Sequence, residues 1–283
     1  MSLRFDRVGS LHLLGPLFRA LSGRDAKIPI LMYHSVADED ESAWGPYFRI
    51  AIGPALFLQQ MTFLHEQGYR TVSLAAAVER LQAGDATTAK TVVITFDDGY
   101  RNFHQHAWPA LERFGFTATM FLPTASIGDQ PQIFNKRVCM TWSEVRELQQ
   151  RGISFGSHTV THPQLHGLQP DRLREEILQS RRTIEDKTGS QVDTFAYPYA
   201  FPQTDEPFKA VLREILLEGG YRYGVCTRIG RAGAASDPLF LERLPVNSAD
   251  DEALLSAKMA GAYDWVGALQ TLMKKARKPR TKA

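Results

Sequence analysis

The sequence predicts a single α/β domain folded as a (β/α) barrel, distorted or incomplete, with about seven strands. Three observations carry this reading. Short, apolar, often β-branched runs alternate with stretches of helical period along the chain, the mark of βαβ units and a parallel sheet. No internal repeat, low-complexity block or Pro/Gly/Ser linker divides the 283 residues. No G-x-G-x-x-G follows any strand, which removes the main cue for two dinucleotide-binding halves.

The elements follow in order. Residues 28–34 (IPILMYH) are short and apolar enough for a buried strand. Phe57, Met61 and Leu64 lie at i, i+4 and i+7 of a helix that Gly68 ends. Residues 69–72 give a brief strand and 74–81 a second helix. Residues 91–96 (TVVITF), apolar and β-branched, form the strongest strand signal in the chain. A helix near 106–114, a strand over 117–122, a helix over 143–150 and a strand over 153–157 continue the alternation. The last part holds a long helix over 171–187, a strand over 193–197, a helix over 208–217, and strands near 223–226 and 239–246. Phe114, Phe116 and Phe121 fall at core spacing. The expected divisions are an amphipathic extension over 1–27, the barrel over 28–260 and a basic tail over 261–283.

Composition narrows the function classes. The 33 Lys+Arg nearly balance 31 Asp+Glu, so the chain carries no overall nucleic-acid signature. The charge is uneven, because Lys274, Lys275, Arg277, Lys278, Arg280 and Lys282 form a run without an acid. That run is read as a solvated end, with attraction to a membrane surface or an anionic polymer as the alternative. Leu11, Leu13, Leu14, Leu17, Phe18 and Leu21, flanked by Arg4, Arg7, Arg19 and Arg24, are read as a helix packed on the body, with interfacial membrane attachment as the alternative. Cys139 and Cys226 are the only cysteines, which excludes a disulfide framework and a cysteine zinc site but leaves one isolated bridge open. No run approaches a membrane span and no leader pattern is seen, so the expected location is the cytoplasm or the inner face of the membrane.

Reactive groups of a β/α barrel collect where strands end. Residues 91–96 run into Asp97-Asp98-Gly99, residues 153–157 into His158 and then His162, residues 28–33 into His34, and residues 193–197 into Pro198-Tyr199. Two adjacent carboxylates leaving a strand point in different directions, so one is able to bind a cation while the other remains a base. The alternative is an Asp at a helix N-cap or turn. A doubled Asp after a buried strand is costly unless something cationic compensates, which favours the functional reading. His158 and His162, at i and i+4, share one side if the segment turns helically, and two imidazoles with a carboxylate make a frequent shell for zinc or a similar ion. His166 is assigned to a loop or N-cap region, and His104 and His106 to the surface. Trp142 and Tyr199 are candidates to line a sugar groove, Trp142 equally a packing residue that opens a helix.

Residues 95–100 (TFDDGY) and 157–163 (SHTVTHP) resemble the first two motifs of the polysaccharide deacetylases, the metal-dependent carbohydrate esterases of family four that share a domain with the nodulation chitooligosaccharide deacetylases. The likeness extends to residues 195–199 (FAYPY), at the family's third motif, and to residues 140–142 (MTW), and it covers roughly residues 28–246. Residues 30–36 (ILMYHSV) resemble the branch that deacetylates poly-N-acetylglucosamine and other exopolysaccharides. The resemblance implies that Asp98, His158 and His162 hold a divalent metal, zinc first, with cobalt, nickel or manganese as alternatives. It implies Asp97 as general base, the backbone N–H of Tyr199 as oxyanion donor, and acetate and a free amino sugar as products. The substrate implied is an N-acetylated glycan or a lipid-linked precursor.

The chain departs from the family pattern twice. Ala196 stands where the third motif begins with an Arg that orients the base, and no His follows His166 to supply the family's late general acid. His34 is the candidate acid, against a buried barrel histidine as the alternative. Arg243 is a candidate for the missing charge beside Asp97, although a surface pair is the favoured reading for a strand-edge Arg. The two departures leave room for a carbohydrate-binding relic without turnover, or a deacylase of a non-sugar amide. No nucleic-acid partner is expected, and peripheral membrane contact through the basic ends is the alternative already named.

Overall fold

The computed structural model describes residues 4–13, 15, 26–85 and 90–276. After a short helix, Phe5–Val8, come strands β1 (Lys27–Ile28), β2 (Ile30–Tyr33), β3 (Ser35–Val36) and β4 (Ala51–Ile52), then the helix Pro54–Glu66. β5 (Arg70–Thr71), the helix Leu74–Ala83, β6 (Thr91–Phe96), the helix Trp108–Arg113 and β7 (Thr119–Leu122) follow. A hairpin of β8 (Ile133–Phe134) and β9 (Arg137–Val138) precedes the helix Trp142–Gln150 and β10 (Ser154–Ser157). The helix Pro170–Thr188, β11 (Thr194–Ala196), the helix Glu206–Glu218, β12 (Tyr223–Ile229), β13 (Ala232–Gly233) and β14 (Leu241–Pro245) complete the alternation, and the helices Glu252–Met259 and Asp264–Ala276 end it.

Seven parallel strands close on themselves in the order β2, β14, β12, β11, β10, β7, β6 and back to β2. The (β/α) barrel of about seven strands expected from the alternation is therefore the observed fold. β5 adds to the first residues of β6 only, at Arg70↔Thr91 and Thr71↔Val92. The closed ring leaves no edge among its strands, which removes the template for edge-to-edge pairing.

The two-residue period of β6 decides what faces where. Val92, Ile94 and Phe96 pack outward into the main core with Phe57, Met61 and Leu111, while Val93 packs inward with Ile30, Phe121 and Leu241. Thr95 and Asp97 continue the inward row, and Thr95 Oγ1 donates to the Leu31 carbonyl at 2.7 Å. A closed barrel thus delivers its inward strand-end residues to one rim.

The described residues bear on three further readings. The basic run begins inside a helix, where the Lys274 ammonium donates to the Phe201 carbonyl at 2.6 Å and to Gln203 Oε1 at 2.8 Å. Of the N-terminal segment, the described part is a helix, Phe5–Val8, followed by a π-turn, Gly9–Leu13, and polar contacts tie it to the body. Asp6 accepts from Arg4, Tyr47 and Tyr263, and Trp265 Nε1 donates to Ser10 Oγ, while Leu13 is exposed. Leu14, Leu17, Phe18 and Leu21 lie outside the described residues. The isolated bridge does not form, since Cys139 and Cys226 are both free and buried. No helix among the described residues is long and apolar enough to cross a membrane.

Candidate active site

β6 leaves the barrel through two successive left-handed residues, Asp98 at φ +73° and Gly99 at φ +66°. A Cβ at Gly99 would meet Ile127 and Leu122 at 2.9 Å, so the position requires glycine on space as well as on φ. Thr159, His162 and Tyr199 also hold positive φ, at +70°, +55° and +56°. Of the six described non-glycine residues in this region, four cluster on the rim, where strain persists only if the surroundings impose it.

The segment after β10 shows how it is imposed, and it corrects the expected helical turn between His158 and His162. Residues 158–163 form no helix. Glu176, fully buried on the helix Pro170–Thr188, accepts from the backbone N–H groups of Val160 and Thr161 at 2.9 and 2.8 Å and from Thr161 Oγ1 at 2.7 Å. The His162 N–H donates to Thr159 Oγ1 at 3.0 Å. These bonds fold the loop so that the two imidazoles meet edge to face, centroids 4.7 Å apart. Sequence reasoning missed Glu176, yet the signal was there: it is the one acid within the buried stripe Leu173, Ile177, Ser180 and Ile184. Glu176→Ala should leave two backbone N–H groups unpaired in a buried loop and cost about 2–4 kcal/mol of stability. Chemical denaturation would check this, and loss of divalent-cation affinity at unchanged fold would report the displaced His162.

Ligand-type atoms of Asp98, His158 and His162 lie within 4.8 Å of one another. His158 Nε2 and His162 Nε2 are 3.2 Å apart, and Asp98 Oδ1 is 3.7 and 3.4 Å from them. The Ala196 carbonyl, 2.8 Å from His158 Nδ1, fixes the proton there and turns a lone pair inward. Asp98 Oδ1 and His162 Nδ1 have no hydrogen-bond partner although buried. Burial pushes the Asp98 carboxyl up to about 7, with the charge of Asp97 adding to it. Burial lowers His158 to about 4 and, together with His158, lowers His162 to about 3. Converging acceptors with no donor between them, two of them neutral imidazoles, fit a divalent cation.

Asp97 is the other buried carboxylate, and Arg243 pairs with it. Its Nη1 and Nη2 donate to Asp97 Oδ1 and Oδ2 at 2.7 and 2.8 Å, Nη1 also reaches Thr95 Oγ1 at 3.3 Å, and Nε reaches the Cys226 carbonyl at 3.2 Å. Arg243 is 1 % exposed, which overturns the surface pair favoured from the sequence. β14 is no edge strand, and the two-residue period puts Arg243 on the inward face with Leu241. Burial alone would raise the Asp97 carboxyl, but the Arg243 guanidinium, then His158 and His34, hold it well below the usual carboxylate range. His34, the residue after β2, places Nε2 3.8 Å from Asp97 Oδ2, and burial lowers its imidazole to about 4.

The Tyr199 ring stands 4.7 Å from the His162 ring, 53 % exposed, and its carbonyl accepts from Thr227 Oγ1 at 2.8 Å. Trp142 is buried at the start of its helix, beside the Thr141–Glu144 capping box, so it packs rather than lines a groove. His166 pairs with Asp205 in an exposed loop and His104 with Glu147, both away from the cluster.

The comparisons with known proteins bear on this geometry. The family model described as polysaccharide deacetylase matches residues 84–223. YxkH of Bacillus subtilis (strain 168), named for the polysaccharide deacetylases, is 31% identical over 240 residues, 85% of this chain and 77% of that protein. The chain belongs to the polysaccharide deacetylase family. It is an enzyme of the N-deacetylase class, a hydrolase of linear amides. The solved Streptococcus pyogenes deacetylase PplD in complex with acetate is 27% identical, with a TM-score of 0.72 over 83% of this chain and 99% of that one. IcaB from Ammonifex degensii, 22% identical with a TM-score of 0.67 over 83% of this chain and 97% of that one, shares the fold. Poly-beta-1,6-N-acetyl-D-glucosamine N-deacetylase of Escherichia coli (strain K12) is 31% identical over 139 residues, 46% of this chain but 20% of that protein.

Proposed function

We propose that this enzyme removes N-acetyl groups from the amino sugars of an exopolysaccharide of the poly-N-acetylglucosamine kind, with a divalent cation, releasing acetate. The observation that carries the reading is the convergence on one rim of two distinct groups. One is an acceptor cluster, Asp98–His158–His162; the other is a buried Asp97 clamped by Arg243 and faced by His34. The Escherichia coli relative's name supports the substrate class.

Asp98, His158 and His162 would hold the cation, which when bound supplies Lewis acidity toward the acetamide carbonyl and the attacking water. The chain's own residues manage the proton. Arg243 keeps Asp97 ionised and fixes its carboxylate plane, so Asp97 accepts the proton that the water sheds on attacking the carbonyl carbon. The oxyanion that forms takes a hydrogen bond from the Tyr199 backbone N–H. His34 is half-buried and begins neutral because desolvation lowers its imidazole, and this suits a relay. The 3.8 Å between its Nε2 and Asp97 Oδ2 is too long for a direct hydrogen bond, yet one water or a slight closure spans it. The proton passes from Asp97 to His34 and from His34 to the departing amine as the C–N bond breaks. Water loses one proton and the amine gains one, so the cycle closes without an outside acid.

His34→Ala should lower kcat for acetate release by about 10²-fold while leaving cation content unchanged. Acetate and metal measured on the same preparation test this, and near-normal turnover would remove His34 from the mechanism. Membrane contact through the basic ends is part of the same reading, supported by the exposed Leu269, Leu272 and Met273 that precede the basic run.

A further inference from the structure

The helix Asp264–Ala276 is turned inside out. Gly267, Gln270, Thr271 and Lys274, at i, i+3, i+4 and i+7, face the barrel, while Ala268, Leu269, Leu272 and Met273 are exposed. A surface helix ordinarily does the reverse and buries its apolar stripe. Polar bonds therefore seat this one, and those of the inward stripe reach β12 and the loop that carries Tyr199.

The length of β12 explains the first set of bonds. Its ladder to β11 stops at Ala196↔Val225, where β11 ends, whereas β12 continues to Ile229. With a two-residue period, Thr227 and Ile229 turn their backbone groups to the same side as Val225, whose carbonyl still accepts from the Tyr197 N–H at 2.9 Å. Past that point β11 no longer reaches them, and an unanswered backbone group is costly. Gln270 takes the place of the strand. Its Nε2 donates to the Thr227 carbonyl at 3.2 Å, and its Oε1 accepts from the Ile229 N–H at 3.2 Å. The helix comes this close because residue 267 is glycine: a Cβ there would run into the Ile229 carbonyl oxygen.

The second set grips the loop itself. Thr227 Oγ1 donates to the Tyr199 carbonyl at 2.8 Å and accepts from the Phe201 N–H at 2.9 Å. The Lys274 ammonium donates to the Phe201 carbonyl at 2.6 Å and to Gln203 Oε1 at 2.8 Å, and Gln203 Nε2 donates to Thr271 Oγ1 at 3.1 Å. Phe201 and Gln203 are buried. Tyr199 holds φ +56°, a conformation that persists only where its surroundings impose it.

We propose that the helix Asp264–Ala276 is a brace for the Tyr199 turn, with Lys274 and Gln270 as positioning residues for the deacetylation. Neither touches the reacting atoms. Lys274 fixes the chain two residues beyond Tyr199, and Gln270 fixes the stretch of β12 whose Thr227 holds the Tyr199 carbonyl. Together they set the direction in which the Tyr199 N–H points. An oxyanion donor works only when aimed where charge develops, so misdirecting it raises the barrier without weakening ground-state binding. The proposal rests on the deacetylase reading, with Tyr199 as donor, and adds what holds that donor in place.

The test is steady-state acetate release from the hexamer of β-1,6-linked N-acetylglucosamine, with metal content and thermal midpoint measured on the same preparations. Lys274→Met keeps the aliphatic stem but donates nothing. It should lower kcat on the order of tenfold, with KM and metal content within about twofold of wild type and the pH profile of kcat unmoved. Lys274→Arg, which still donates to both acceptors, should recover most of the loss. Gln270→Leu should give the same split from the other end of the brace, so the outcome does not hang on one variant folding. Leu272→Ser, on the exposed face of the same helix, should behave as wild type. Unchanged kcat in both Lys274→Met and Gln270→Leu would overturn the brace and leave the deacetylase standing. So would losses that fall equally on metal content, or that Lys274→Arg fails to recover. No acetate from the wild type would overturn the deacetylase reading, and the brace with it.

Discussion

Asp97→Asn should lower acetate release by about 10³-fold, within the range that a positioned general base contributes. Asparagine keeps the shape and one acceptor oxygen for Arg243 but takes no proton from water at neutral pH. The cation cluster does not include Asp97, so metal content should be unchanged, and that separates loss of the base from loss of the site. Stability should fall as well. Arg243 is buried with both Nη atoms on this carboxylate, and removing one charge of a buried pair leaves the other uncompensated. Acetate release, metal content and the urea midpoint, measured on one preparation, give all three outcomes. Turnover within about tenfold of wild type would remove Asp97 from the role of base.

Arg243→Met should destabilise the fold by about 3–5 kcal/mol, because it strands the Asp97 carboxylate in the barrel interior. Activity should fall too, since an unclamped carboxylate loses both its orientation and the charge that keeps it ionised. The Asp97→Asn/Arg243→Met double variant distinguishes pairing from packing. If the two charges compensate each other, adding Asp97→Asn recovers much of the lost stability, while activity stays at the level of Asp97→Asn alone. Strictly additive losses of stability would show that Arg243 acts on the fold independently of Asp97. Arg243→Lys keeps the charge but loses the planar fork, so it should fall between wild type and Met in both measurements.

Much of the barrel was legible because its signals are local. Each ring strand is a short apolar run, and all but β12 lead into a helix before the next ring strand or the end of the barrel, most of them with a recognisable stripe, so the parallel order follows largely from the alternation. The rim residues were legible for the same reason, since Asp97, Asp98, His158 and His34 all come directly after such runs. What escaped depends on three-dimensional context. β3, β4, β8 and β9 have two residues each, too few for periodicity to register. The loop carrying His162 owes its shape to Glu176, whose acid sits at a position where a helix stripe calls for an apolar side chain. Arg243 was read by its charge as a surface residue, although its spacing from Leu241 assigns it to the inward face. The helix Glu252–Met259 has little amphipathic contrast, burying Leu254, Leu255, Ala257, Lys258 and Met259 on several sides. Lys258 is tolerated there because it donates to Asp250 Oδ1 at 2.9 Å and to the Pro245 carbonyl.

The two departures from the family pattern lead to one arrangement. In the proposed reading, Arg243 on β14 takes the part of the arginine absent at Ala196 and His34 after β2 that of the late histidine, each on a different strand of the same closed ring. A barrel permits this because its strand ends meet at one rim regardless of their distance in sequence.

The most direct measurement is acetate release from N-acetylglucosamine oligomers by the wild type as prepared, after chelation, after restoration of zinc, and by Asp97→Asn. The account predicts release that is lost on chelation, returns with zinc, and is about 10³-fold lower in the Asp97→Asn protein. Release undiminished by chelation, or no release from any oligomer by protein with a firmly bound cation, would contradict it.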